Sequence, residues 1–140
     1  MDAQRSLAIV RAIHHAKGGI IQAAQDSGAL SDDVEWVVPG PPEVLPFAGT
    51  WRGLDGIAEF QRLLGETMRY DRAELLECFA DANHVAAIFL GEGVARATGR
   101  PFRGEILRLY IFRADKIVQV RNFYDTAAYI AAVQSGTSPS

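Results

Sequence analysis

The sequence predicts an α+β domain: a curved, mostly antiparallel sheet carries helices on its concave face and leaves a cone-shaped hollow between them. Three observations point there. Helical periodicity dominates the first half, and β-type runs joined by short turns dominate the second. Arg108, Asn122 and Tyr124 fall at inward positions of the last two runs. Polar or ring-bearing groups inside an oily sheet are costly unless paired or used, so the hollow is expected to take a ligand.

The elements follow in order. Leu7, Val10 and Ile13, then Ile20 and Ile21, have helical spacing, and Gly18-Gly19 reads as a helix end and restart. Ser31-Asp32-Asp33 interrupts this pattern before a short strand, Val34-Glu35-Trp36-Val37-Val38. Pro39-Gly40-Pro41-Pro42 ends the strand and opens a loop reaching Gly49. Leu54, Ile57, Phe60, Leu64 and Met68 predict a third helix, with Asp55 near its start to suit the dipole. Runs 74–80, 84–96, 103–113 and 116–124 are rich in β-branched and aromatic residues. Asp81-Ala82-Asn83, Gly99-Arg100-Pro101 and Ala114-Asp115 supply the turns, and a short helix over 126–134 closes the domain.

In the run 105–112, Ile106, Arg108, Tyr110 and Phe112 share one side, and Leu107, Leu109 and Ile111 share the other. A sheet with one wet side alternates more cleanly than this. The second side therefore needs cover, and a homodimer through sheet faces is expected.

With 140 residues, 49% of them hydrophobic, the chain suits one domain over 1–135, with 136–140 as a flexible tail. Net charge is -3 and the 14 basic residues are scattered, which argues against a nucleic-acid partner. The one cysteine, Cys78, leaves no internal disulfide, and its apolar run predicts a buried, inert thiol. There is no charged leader and no long apolar run, so a cytoplasmic protein without a membrane partner is expected.

Several segments resemble the nuclear-transport-factor-2-like superfamily, in its SnoaL-like branch related to polyketide cyclases and ketosteroid isomerases. They are Asp32-Asp33-Val34-Glu35-Trp36, Pro46-Phe47-Ala48-Gly49-Thr50-Trp51-Arg52-Gly53, Ala97-Thr98-Gly99-Arg100-Pro101-Phe102, Asp115-Lys116-Ile117-Val118 and Asn122-Phe123-Tyr124-Asp125-Thr126-Ala127-Ala128. In order over residues 5 to 134, they imply that cone-shaped, cystatin-like fold. Function is less constrained, because the fold hosts isomerases, cyclases, epoxide hydrolases and non-catalytic binders. The resemblance places Trp36 where ketosteroid isomerases carry their basic Asp, and Arg108 where they carry a proton-donating Asp. Phe89, Gly91 and Asn122 take the positions of the Arg and two acids of the epoxide hydrolases. None of the family's carboxylate bases is retained.

Each candidate has a functional and a purely structural reading. Arg108 can bind a carboxylate, phosphate or developing enolate oxygen, or can be salt-bridged to Glu105 or Glu92. Asn122 can donate to a ligand carbonyl, or bond its neighbours. Tyr124 can turn its hydroxyl inward or only close the core. Trp36 and Trp51 suit the walls of a pocket for a flat apolar guest, and equally a core. Phe47, beside Pro46, suits a mobile lip; Phe89 and Tyr110 suit the lining, or with Phe112 would plug a solid interior.

His14 and His15 lie about 100° apart on one helix, so at most one faces inward. His14 is a candidate base near neutral pH, or a half-buried helix residue bonded to a carbonyl. The adjacent pair lacks the i, i+4 spacing and third ligand of a metal site, and neither metal nor cofactor is expected. His84 reads as an exposed turn residue, Glu35 as outward-facing and Asp125 as a helix cap.

The expectation is a binder of a small, largely apolar, oxygen-bearing molecule of polyketide, steroid-like or terpenoid type. Cofactor-independent isomerase or cyclase chemistry would use Arg108 and Asn122 on an oxyanion while His14, Glu92 or water moves the proton. A non-catalytic binding or dimerisation module is the alternative, and an epoxide hydrolase-like enzyme a second.

Overall fold

The computed structural model describes residues 2–16 and 19–134. In chain order the elements are α1 (Ala3–His15), α2 (Ile20–Asp26), β1 (Leu30–Val38), β2 (Gly49–Arg52), α3 (Gly53–Thr67), β3 (Met68–Ala80), β4 (His84–Ala95), β5 (Pro101–Arg113), β6 (Lys116–Phe123) and α4 (Thr126–Val133). The strands form one sheet in the order β2-β1-β6-β5-β4-β3. β1 and β6 run parallel and every other neighbouring pair is antiparallel. Register shifts interrupt β1, β3 and the β5–β6 pair, and such extra residues bend strands and strengthen their twist.

Local chemistry sets the boundaries. Asp2 Oδ1 accepts from the Arg5 N–H at 2.8 Å and caps α1. Asp125 Oδ1 accepts from the Ala128 N–H at 3.0 Å and caps α4, the role its position predicts. Asp81 Oδ1 takes the N–H groups of Asn83 and His84 at 2.9 and 2.8 Å, which closes the β3–β4 turn. Ala114 and Asp115 both have positive φ (48° and 71°), as the two-residue β5–β6 hairpin requires.

Alternation is clean on β5: Ile106, Arg108, Tyr110 and Phe112 are buried, while Leu107, Leu109 and Ile111 are half-exposed. α1 packs on β3 and β4, α3 on β1, and α4 on β5. Ile57 and Phe60 are the buried positions of α3. Among the described residues no helix is long and apolar enough to cross a membrane.

Three boundaries differ from expectation. β2 lies at the end of the expected Pro-rich loop; four residues with no alternation give no periodic signal, and pairing with β1 creates the strand. β1 starts at Leu30, because pairing of Leu30 with Ile117 carries Ser31–Asp33 into the strand. β3 starts at Met68, where α3 has already ended. Its charged opening is tolerated at a sheet edge, where Arg69 pairs with Asp71 and Arg72 with Glu74. The helix break falls where expected, between His15 and Ile20, although Gly18 lies outside the described residues, as does the tail at 136–140. Cys78 is half-buried rather than buried, and burial pushes its thiol pKa up.

Candidate ligand-binding site

The site is built around Arg108, which the alternation of β5 turns inward. Arg108 is 6% exposed. Its Nε donates to Asn122 Oδ1 at 2.7 Å, and its guanidinium carbon stands 5.0 Å from the ring centres of both Trp36 and Phe89. Nη1 is buried and has no hydrogen-bond partner. The salt-bridge alternative fails on strand parity. Glu105 pairs with Leu90 and Glu92 with Arg103, all at outward positions, and Glu92 bridges Arg103 at 3.0 Å and Arg72 at 3.6 Å.

Asn122 faces Arg108 directly across β5–β6. Its Nδ2 donates to the Val37 carbonyl at 3.0 Å, so the amide holds Arg108 to β1 as a bracket. Both ends of Asn122 are thereby engaged within the protein.

His14 enters from α1. Its Nε2 lies 2.8 Å from the Tyr110 hydroxyl and its ring 5.1 Å from that of Phe89. Burial first, and then the charges of Arg108 and His15, push the His14 pKa down to about 3. The ring is therefore neutral at ordinary pH, and its Nδ1 is buried without a partner. His15 is exposed, so one histidine of the pair faces inward. The partner of His14 is a hydroxyl rather than the carbonyl expected.

Two chambers reach Arg108. One, of about 190 Å³, runs between α2, α3 and the sheet, against Ile20, Ile21, Leu64 and Phe89. The other, of about 30 Å³, is bordered by Phe47, Phe60, Asn122, Tyr124 and Tyr129. Leu64, Tyr70 and Arg108 border both, so these side chains form the partition. Gly91 makes room for it: a Cβ there would meet the Tyr70 ring at 3.2 Å and Ile106 at 2.9 Å. The Tyr70 and Tyr129 hydroxyls are 2.5 Å apart, and burial pushes the pKa of both phenols up. Among the described residues, no Asp, Glu, His, Lys or Cys borders either chamber.

A larger open groove of about 700 Å³ lies between α1, α2 and the β5–β6 turn, away from Arg108. None of the described residues that border it is a buried polar one, whereas buried Arg108 and Asn122 border the chambers.

The other candidates separate into lining and core. Phe89 borders the larger chamber and Phe47 the smaller. Phe47 is 2% exposed and packs on Phe60 and Tyr129, so it is a wall and not the mobile lip expected. Tyr124 borders the smaller chamber, but its hydroxyl donates to the Pro39 carbonyl and fastens the loop after β1. Trp36, Trp51 and Tyr110 border neither chamber, which corrects the picture of a tryptophan-walled hollow. Trp36 lies fully buried beneath Arg108 and against Phe60, and Trp51 packs on Phe60 while its Nε1 donates to the Phe47 carbonyl at 2.8 Å. Their large apolar area is satisfied within the core. With Tyr110 and Phe112 also buried, most of the expected hollow is solid.

Glu35 faces outward as predicted, bonded to Arg52 and accepting from Gln119. Glu92 does so too, which removes it as a proton carrier for the chambers. His84 is an exposed turn residue paired with Asp81. Among the described residues no three His, Cys, Asp or Glu side chains are grouped so as to hold a metal ion.

Leu64, Tyr70, Tyr129 and the pair Ile20–Ile21 are site residues that the sequence does not single out. Leu64 and the isoleucines carry the helical pattern of any core residue. Tyr70 would have been accessible had β3 been read from Met68, since an inward position opposite Gly93 follows from that register.

No curated protein matches the chain. Among solved structures, an NTF2-like protein from Burkholderia xenovorans LB400 is 25% identical, with a TM-score of 0.78 over 96% of this chain and 99% of the other. TerC, co-crystallised with polyporic acid, is 20% identical, with a TM-score of 0.75 over 91% and 97% of the two chains. A proposed SnoaL-like polyketide cyclase from Jannaschia sp. CCS1 is 12% identical, with a TM-score of 0.77 over 96% and 94%. These likenesses establish the NTF2-like fold that the sequence segments imply. The SnoaL-like domain family matches residues 26–120, most of the strands and α3 among them, and the chain belongs to that family.

Proposed function

We propose that the protein binds a small, largely apolar, oxygen-bearing molecule in the chamber that ends at Arg108. The observation that carries this is a buried guanidinium with an unpartnered Nη1, bordering a mainly apolar cavity whose other polar neighbours are Gln22, Gln61 and Tyr70. A volume of about 190 Å³ is below the usual few hundred for drug-sized ligands, which favours a one- or two-ring polyketide or terpenoid body over a whole steroid. TerC with polyporic acid is a precedent for small-molecule occupancy of this fold.

Binding is better supported than catalysis. Arg108 and the tyrosine hydroxyls would polarise a ligand oxygen, but among the described residues no carboxylate borders either chamber. His14, with a pKa near 3 and its Nε2 on Tyr110, is a weak base and acts to position that phenol. Isomerase or cyclase chemistry here would need its proton moved by the substrate or by water. Thermal-shift titration with one- and two-ring oxygenated aromatics tests the site. Stabilisation of the wild type and its loss in Leu64→Trp, which fills the chamber, is the expected result; equal stabilisation of both proteins would overturn the reading.

The partner proposed for the outer sheet face is a second copy. Leu107, Leu109, Ile111 and Ile88 lie half-exposed there, with Phe79 at 55% and Phe123 at 42% exposure. Exposed Arg121 stands on β6 at one side of this patch and exposed Glu77 on β3 at the other. A two-fold axis along the central strands would bring them together. Sedimentation should show a dimer that Leu109→Glu converts to monomer, and a wild-type monomer at high micromolar concentration would refute it.

A further inference from the structure

The charge of the ligand follows from the charge of the site, an argument that rests on the Arg108 chamber being where the ligand binds. The guanidinium of Arg108 brings one positive charge into the interior. Around it stand the Asn122 amide oxygen, the faces of Trp36 and Phe89, and the Tyr110 phenol. These supply dipoles and quadrupoles but no negative charge.

Among the described residues no carboxylate pairs with it. Glu35 is held by Arg52, Glu92 by Arg103 and Arg72, Glu59 and Glu66 by Arg62, and Asp81 by His84, all at the surface. His14 is held neutral, and the phenols of Tyr70, Tyr110 and Tyr129 are held protonated. A buried charge that nothing balances is unfavourable to folding, and folding alone gives no reason to keep it.

We infer that the ligand is a monoanion, a carboxylate or an acidic enol in its oxyanion form, with its charged end on Arg108 and its rings against Phe89, Leu64, Ile20 and Ile21. The planar donor fork of arginine matches a flat oxyanion. One cation fits one negative charge. A phosphate dianion would call for a second cation, and among the described residues that border the chambers Arg108 has no cationic neighbour.

Calorimetry with 2-naphthoate and its uncharged near-isostere 2-naphthamide tests this. The wild type is expected to bind the carboxylate ~10–100-fold more tightly than the amide, the range for hydrogen bonds to a charged group. Arg108→Met should erase the difference, and Leu64→Trp should abolish binding of both. The comparison on wild type needs no variant, so a poorly folded Arg108→Met does not weaken it. Equal affinity for the two probes would overturn the anion inference and leave the chamber as the site. Undiminished carboxylate binding by Leu64→Trp, or no binding of either probe to wild type at millimolar concentration, would overturn the site with it.

Discussion

Arg103 and Arg108 stand on one strand, five residues apart, and an odd separation puts them on opposite faces of the sheet. Outside, the Arg103 side chain is 66% exposed and meets Glu92 at 3.0 Å. Inside, Arg108 is 6% exposed and meets an amide and two rings. Water screens the outer pair to about 0–1 kcal/mol, so its carboxylate is optional. The inner charge is poorly screened, yet it is the one without a carboxylate. The group that most needs a counter-charge lacks it, and that separates a site from a surface ornament.

The comparison can be broken most sharply at Asn122. Asn122→Leu removes the acceptor of Arg108 Nε and the donor to the Val37 carbonyl. It should cost ~2–3 kcal/mol in denaturant unfolding. Adding Arg108→Met should recover a good part of that, because both members of the buried pair are then apolar. A double variant no more stable than the single would show that the charge is not what makes Asn122 necessary.

His14 gives the next largest effect, through acid. Its folded pKa, about 3, is below the ordinary 6.5, so from 6.5 downward the unfolded chain takes up a proton that the folded one refuses. Stability therefore falls as pH drops from about 6.5 towards 3, by up to about 1.4 kcal/mol per pH unit, and this term vanishes above 6.5. Unfolding of His14→Gln followed over the same range should lose that part of the slope; an unchanged slope would mean that His14 is protonated in the fold.

The smallest effect belongs to the outer face. Arg103→Met should change stability by no more than about 0.5 kcal/mol, measured alongside the inner variants. A cost comparable with that of Asn122→Leu would erase the contrast between the faces.

Much of the fold was legible from pattern alone. Period-two alternation on β5 placed Arg108 inward. The Ala114-Asp115 turn alone would set Arg121 opposite it, and the register shift between Ile111 and Phe112 is what brings Asn122 there. Turn and cap chemistry located Asp81 and Asp125, since those bonds are made within four residues. The site was legible in its polar centre and not in its walls. Trp36 and Trp51 looked like lining because indoles suit a pocket, but the same area is satisfied by Phe60. Tyr70 and Leu64, which do border the chambers, come from an edge strand and a helix whose patterns report burial and not what is buried against what.

By itself, the order of residues determined which side chains share a face, where the chain turns, and that one arginine lies within an apolar sheet. Those properties depend on neighbours a few positions apart, and local geometry transmits them faithfully. Only the tertiary structure decided that this arginine has no carboxylate beside it, that the tryptophans fill space instead of bounding it, and that about 190 Å³ stays open at its end. Packing residues from distant segments into one interior is a matter of volumes and distances across the fold, and no spacing along the chain encodes them.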